Sequence, residues 1–227
     1  MVSTEKNIIF LIGMMGVGKT TIAPIIAKTL GYKLLDTDLE VEKIAGKSCD
    51  DIVKSSSVDK FRKLETKVLK QIYNCRNTVV ACGGGIILRE ENRKYLLQKK
   101  AIVIWIDMKL EEIHKRIKNE LRPNLKGLNS KELKIKLNDI YQERCYIYSK
   151  LSDICVKSNT NDSPQKVADK IIQQIILNNY NLNFVSRQFS SQKQTELNPS
   201  LRLLTNQALQ TLEHLSALLE DQPQLLT

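Results

Sequence analysis

No stretch of this sequence approaches the roughly 18 uninterrupted apolar residues that a membrane-spanning helix needs, so we expect no membrane partner. The opening MVSTEKN is too short for a signal or transit peptide, and we expect the chain to work in the cytoplasm. Cysteine is scarce and badly spaced for a structural job: Cys49, Cys75, Cys82, Cys145 and Cys155 are odd in number and form no Cys-x-x-Cys pair. That disfavours a disulfide framework and a zinc site. There is no internal repeat. Aromatic residues are 5% of the chain and do not interleave with its lysines, as a surface that stacks single-stranded nucleic acid would require. No Asn-Lys-x-Asp is present to read guanine, which argues against a GTPase.

What is present is positive charge. The 227 residues carry a net +10. Residues 181–227 hold three cationic and four acidic side chains, so the excess lies in residues 1–180. A basic body suits anionic small ligands. Its lysines stand singly on helical faces, which is the pattern of a solvated surface rather than a nucleic-acid stripe, and no nucleic-acid partner is expected.

Apolar runs alternate with amphipathic helical patterns. Strands are expected at 7–12, 33–35, 78–82, 101–107 and near 153–156. Helices are expected at 19–30, 38–45, 50–54, 61–74, 89–98, 110–118, 131–150 and 164–177. This alternation predicts an α/β fold with a parallel sheet. Composition shifts after Tyr180, where seven of the thirteen glutamines fall and only one lysine remains. The chain is therefore read as a body at 1–180, a linker at 181–198 and an appended amphipathic helix at 199–227. The apolar stripe from Leu201 to Leu219 could fold back on the body, self-associate or dock elsewhere. Monomer is the expectation, with tail-mediated self-association as the alternative.

The chemistry begins at Gly13-Met14-Met15-Gly16-Val17-Gly18-Lys19-Thr20. A strand pattern precedes it and a helical pattern follows, so the full G-x-x-x-x-G-K-[ST] spacing sits in its required context. Glycines let backbone N–H groups turn around phosphate oxygens, and the helix presents its positive end. Lys19 is expected on the β- and γ-phosphates and Thr20 on Mg²⁺, with Gly16, Val17, Gly18 and Thr21 completing the ATP cradle. Pro24 breaks a local rule by falling inside that helix.

Several weaker signals follow. Asp36-Thr37-Asp38 ends the second strand, where α/β proteins bind ligands; in extended alternation its two carboxylates would face opposite ways, one to a cation and one to a second substrate. Asp107 closes a strand, but the following Met108-Lys109-Leu110 reads as a helix start, so its expected role is an N-cap. Arg62 and Glu65 are three apart on one helix face and can pair, making a preset fork for an anionic group. Gly83-Gly84-Gly85 marks backbone that something approaches closely. Arg122, in a polar interval between helices, could neutralise charge on a transferring phosphate. Arg144 lies on the helix that follows.

Together GMMGVGKTT, DTD, FRKLE, CGGG, LRP and the Arg144–Tyr148 pair resemble shikimate kinase, in the same order and spacing, over residues 7 to about 177. The resemblance implies a P-loop three-layer sandwich with a five-stranded parallel sheet, a substrate-binding segment and a lid. It implies transfer of phosphate from ATP, with Mg²⁺, to the 3-hydroxyl of shikimate. By position, Lys19, Asp38 and Arg122 would be catalytic, and Asp36 would approach the metal. Arg62 and Arg144 would clamp the shikimate carboxylate, with Glu65 holding Arg62 and Gly83, Gly84 and Gly85 lining the ring. Arg116 and Pro164 would sandwich adenine. The chain departs from the usual pattern at Asn124, at Ser57-Val58 and at Pro24. A gluconate-kinase-like enzyme, a non-catalytic regulator of the same fold and a nucleic-acid-binding ATPase are the rival readings.

Overall fold

The computed structural model describes residues 7–98, 101–117 and 128–177. In chain order its elements are β1 (Ile8–Ile12), α1 (Lys19–Leu30), β2 (Lys33–Asp36), α2 (Thr37–Ala45), α3 (Cys49–Ser55), α4 (Val58–Ile72) and β3 (Thr78–Ala81). A short 3-10 turn (Ile86–Leu88) then leads to α5 (Glu90–Leu96), β4 (Ala101–Met108), α6 (Leu110–Ile117), α7 (Ser130–Leu151), β5 (Ile154–Ser158) and α8 (Pro164–Leu177). The expected linker, the tail helix and Arg122 lie outside the described residues. The chain divides into units at residues 1–167 and 168–227; of the second, the described part is the helical end of α8.

All strand pairings are parallel, in the order β2-β3-β1-β4-β5. Every residue of β1 and of β3 is buried, as a parallel sheet covered on both faces requires. Ile8, Ile9, Phe10, Leu11 and Ile12 therefore carry no polar alternation, and with Val79, Val80, Val103 and Ile104 they form the centre of the core.

Register decides what comes next. Asp36 pairs with Ala81, and Ala81 with Leu11. The C-terminal ends of β2, β3 and β1 are thus level, and the three segments that leave them (Thr37 onward, Cys82–Gly85 and the Gly13–Gly18 loop) emerge side by side. Among the described residues no helix is long and apolar enough to cross a membrane.

Two sequence expectations shift. Asp107 does not cap a helix: it lies within β4, level with Lys157 of β5. The α6 start falls instead at Lys109, whose carbonyl accepts from the N–H groups of Glu112 and Ile113. The strand simply runs farther than its apolar core, because β5 continues to pair beside it. Helix α4 begins at Val58 rather than Phe61, because the Ser57 hydroxyl accepts from Lys60 N at 3.1 Å. The Ser57-Val58 departure therefore supplies a helix cap.

Pro24 sits in α1, exposed, and gives no N–H to the Thr20 carbonyl. Replacing it with alanine restores a donor and relieves ring crowding. Pro24→Ala is expected to stabilise the fold by about 1 kcal/mol, seen as a rise in Tm of a few degrees. A lower Tm in calorimetry would contradict this account of α1.

Candidate active site

The phosphate loop is built around its lysine. Gly18 precedes α1 in a left-handed conformation (φ 98°), which glycine adopts without the Cβ clash. Lys19 is buried, and its Nζ donates to Gly13 O and Met14 O, each at 2.8 Å. This fixes the ammonium group inside the loop. Thr21 N donates to Gly18 O at 3.0 Å, closing the first turn of α1. Arg116 of α6 approaches from above: Nη1 lies 3.5 Å from both Gly16 O and Val17 O, and Nη2 donates to Asn159 O at 3.1 Å. Asn159 begins the turn that ends in Pro164 at the start of α8. Arg116 thus ties the loop to that turn.

Asp36 occupies two roles at once. One carboxylate oxygen caps α2, accepting from Asp38 N at 2.9 Å and Leu39 N at 3.4 Å. The other accepts from the Thr20 hydroxyl at 3.1 Å. The two aspartates do diverge, but not by strand alternation. Asp36 ends β2 while Asp38 already lies in α2, so the strand-to-helix turn separates them. Thr37 between them is fully buried, and its hydroxyl accepts from Gly83 N at 2.8 Å.

Gly83-Gly84-Gly85 follows β3, and different groups crowd two of its members. A Cβ on Gly83 would strike the Asp38 carboxylate, and one on Gly85 would strike the Arg62 guanidinium. Neither side chain could hold its place over an alanine. At Gly84 a Cβ would stand 3.4 Å from Gly13 O and 3.8 Å from Arg144 Nη1. Gly84 therefore lies at the junction of the phosphate loop and α7.

Arg62 is held from below. Its Nη1 donates to both oxygens of Glu65 at 2.7 Å, and Glu65 is fully buried. Thr66, one turn after Arg62, donates to Asn92 Oδ1 at 2.7 Å, and Asn92 Nδ2 donates to Ile86 O at 2.9 Å. That buried pair locks α4 and α5 to the residue directly after the glycines. Arg144 of α7 is mostly buried, with Nε 3.4 Å from Glu143. Tyr148, one turn on, donates from its hydroxyl to Gly84 O at 2.6 Å.

Charge environments follow from this crowding. Burial pushes the Asp38 carboxyl above the ordinary carboxylate range and Asp36 adds repulsion, while Lys19 and Arg62 pull the other way. Burial likewise raises Glu65, to about 7, against the pull of Arg62. Among the described residues no cluster of three or more His, Cys, Asp or Glu could hold a metal ion.

The structure thus brings Lys19, Thr20, Asp36, Asp38, Arg62, Glu65, Gly83, Gly84, Gly85 and Arg144 to one edge of the sheet. Arg116 adjoins the loop and reaches Asn159 in the turn that leads to Pro164. Thr37, Asn92 and the use of the Tyr148 hydroxyl escaped the sequence reading. A threonine between two aspartates and a polar residue among apolar helix positions are their only traces.

The chain has close counterparts among known proteins. A protein-family model described as shikimate kinase matches residues 15–176. A shikimate kinase from Rippkaea orientalis is 36% identical over 168 residues, spanning 74% of this chain and 87% of the relative. A solved shikimate kinase from Acinetobacter baumannii, in complex with shikimate, superposes with a TM-score of 0.71 at 31% identity, covering 77% of this chain and 96% of that one. The crystal structure of shikimate kinase from Aquifex aeolicus gives a TM-score of 0.63 at 32% identity, over 75% and 97%.

The raised Glu65 value has a stability consequence with a definite sign. Between about pH 4.5 and 7 the folded chain holds a proton at Glu65 that the unfolded chain has released. Stability contributed by this group therefore falls as pH rises through that window and is level above it. Glu65→Gln removes the titration and should flatten that fall in denaturant melts between pH 4.5 and 7.5. An unchanged slope would contradict the assigned direction.

Proposed function

The chain belongs to the shikimate kinase family, and on that premise we propose that it transfers the γ-phosphoryl group of ATP to the 3-hydroxyl of shikimate, giving 3-phosphoshikimate and ADP, in the cytoplasm. The observation that carries the residue assignment is the convergence of Asp38, Arg62 and Arg144 around Gly83–Gly85, beside the phosphate loop. A rigid ring bearing a carboxylate and several hydroxyls needs cations for its charge, a carboxylate for its hydroxyls and backbone bare of side chains for its face. Those groups are present together.

In this reading the loop N–H groups and Lys19 bind the ATP phosphates. Arg116 and the turn before Pro164 border the adenine. Arg62, steadied by Glu65, and Arg144 grip the shikimate carboxylate bidentately. Asp38 receives the attacking hydroxyl. Its raised proton affinity suits it to orient that group and take its proton as the oxygen–phosphorus bond forms and the bond to ADP breaks. Arg122, outside the described residues, neutralises charge on the transferring group. The Thr20 hydroxyl and Asp36 carboxylate are adjacent oxygen donors beside the loop, a set that fits Mg²⁺. When bound, the ion would supply charge neutralisation at the phosphates.

Gluconate is disfavoured because an open chain gains little from a fixed glycine surface built for a rigid ring, and a non-catalytic regulator because no motif residue has been lost.

In a coupled ADP-release assay with Mg²⁺, shikimate should accelerate ATP turnover whereas gluconate and quinate should not. Equal turnover with and without shikimate would sink the reading. Arg62→Ala and Arg144→Ala should each raise the shikimate KM steeply, since losing one partner of a buried charge pair costs about 2–5 kcal/mol. ATP binding should change little; loss of nucleotide binding with shikimate binding intact would reverse the assigned sites. Arg122→Ala should lower kcat far more than it weakens binding, and a pure KM effect would remove it from catalysis.

A further inference from the structure

Tyr148 is fully buried in α7, yet its position asks for more than packing. Its ring stacks on Trp105 of β4, with centroids 5.9 Å apart and planes 26° from parallel. A phenylalanine would fill that space and make that stack. The hydroxyl has to be satisfied in a dry interior, and its two polar neighbours are both parts of the acceptor site. It donates to Gly84 O at 2.6 Å, and the Arg144 guanidinium, one helical turn earlier, acts on it as a neighbouring positive charge.

The far side of the same assembly reaches the phosphate loop. Trp105 is level with Ile12, the last residue of β1. Its indole edge passes close to Gly13, 3.4 Å from where a Cβ there would stand. Gly84 meets the same loop from above, at Gly13 O and Met15 N. The carbonyl that Tyr148 holds therefore belongs to the residue that separates the phosphate loop from Arg144.

We infer that Tyr148 is a positioning residue for the acceptor: its hydroxyl fixes the plane of the Gly84 peptide and the reach of Arg144, so that the ring floor and one arm of the carboxylate clamp keep a single spacing. Trp105 backs the ring and sets this spacing relative to the phosphate loop. The inference rests on the shikimate kinase reading of the site. Without the hydroxyl, Gly84 O loses its donor and Arg144, which lies beside Gly84, loses a polar neighbour, so both are free to shift by a few tenths of an ångström. Such a shift weakens acceptor binding while leaving the nucleotide side in place, because Lys19 is held by the carbonyls of its own loop, Gly13 O and Met14 O.

The test is Tyr148→Phe, which keeps the stack and removes one oxygen. Shikimate KM should rise about fivefold or more, the factor expected for a lost buried hydrogen bond, while ATP KM stays within about twofold. Thr29→Val serves as a comparator. It removes a buried hydroxyl that donates only to its own helix, at Ile25 O 2.9 Å away, and it lies at the far end of α1. Its loss of thermal stability should leave both KM values unchanged. Parallel rises in both KM values for Tyr148→Phe, or no rise in either, would overturn the inference while wild-type activity on shikimate stands. A wild-type chain inactive on shikimate would overturn the kinase reading and this inference with it.

Discussion

The site depends on an absence of matter at the end of β3. Gly83 and Gly85 lie where a single methyl group would displace a carboxylate and a guanidinium. With those methyl groups missing, Asp38 from α2 and Arg62 from α4 can lie directly against the backbone. Two side chains of opposite charge are thereby brought over the same short peptide segment. The glycines themselves contribute only backbone bonds, Gly83 O accepting from Ile86 N and Gly85 O from Leu88 N, each at 3.1 Å. Side chains from outside add to these: Thr37 on the Gly83 N–H, Tyr148 on the Gly84 carbonyl, and Asn92 on the carbonyl of Ile86. Three buried polar side chains from three helices thus hold backbone groups of Gly83, Gly84 and Ile86 along this short stretch.

Parallel strand register supplies the other half. Because Asp36, Ala81 and Leu11 are level, the phosphate loop, the aspartate pair and the glycines leave the sheet at one height. Asp36 then couples two of them, capping α2 with one oxygen and meeting Thr20 with the other. A substitution there would disturb the helix that carries Asp38 as well as the hydroxyl beside the phosphate loop. Glu65 does comparable work on α4. Fully buried, it gives Arg62 one geometry instead of the many an exposed arginine samples. The buried environment that makes the fork rigid also raises the carboxyl's proton affinity to about 7.

Much of this was legible in the sequence, for identifiable reasons. Strands buried on both faces read as unbroken apolar runs, and the glycine–lysine–threonine spacing is tied to a strand before and a helix after. The Arg62–Glu65 pairing follows from helix geometry alone. Asp107 was misread because strand ends are set by what pairs alongside, here Lys157 of β5, and a single chain does not announce its neighbour. The divergence of Asp36 and Asp38 was expected for the wrong reason, since a cap at Asp36 turns the chain into a helix sooner than the apolar pattern suggests. Thr37, Asn92 and the Tyr148 hydroxyl were missed because their partners are backbone atoms 46, 6 and 64 residues away. Contacts to backbone leave no complementary residue type in the sequence to find.

The central claim is that the arginine pair over the glycine floor selects the acceptor by its carboxylate. Turnover of shikimate methyl ester tests this most directly, because the ester keeps the ring and the reacting hydroxyl and loses only the charge. The account predicts a KM for the ester at least about thirtyfold above that for shikimate, the factor for about 2 kcal/mol of lost charge pairing, with ATP KM unchanged. An ester phosphorylated as readily as shikimate would contradict it.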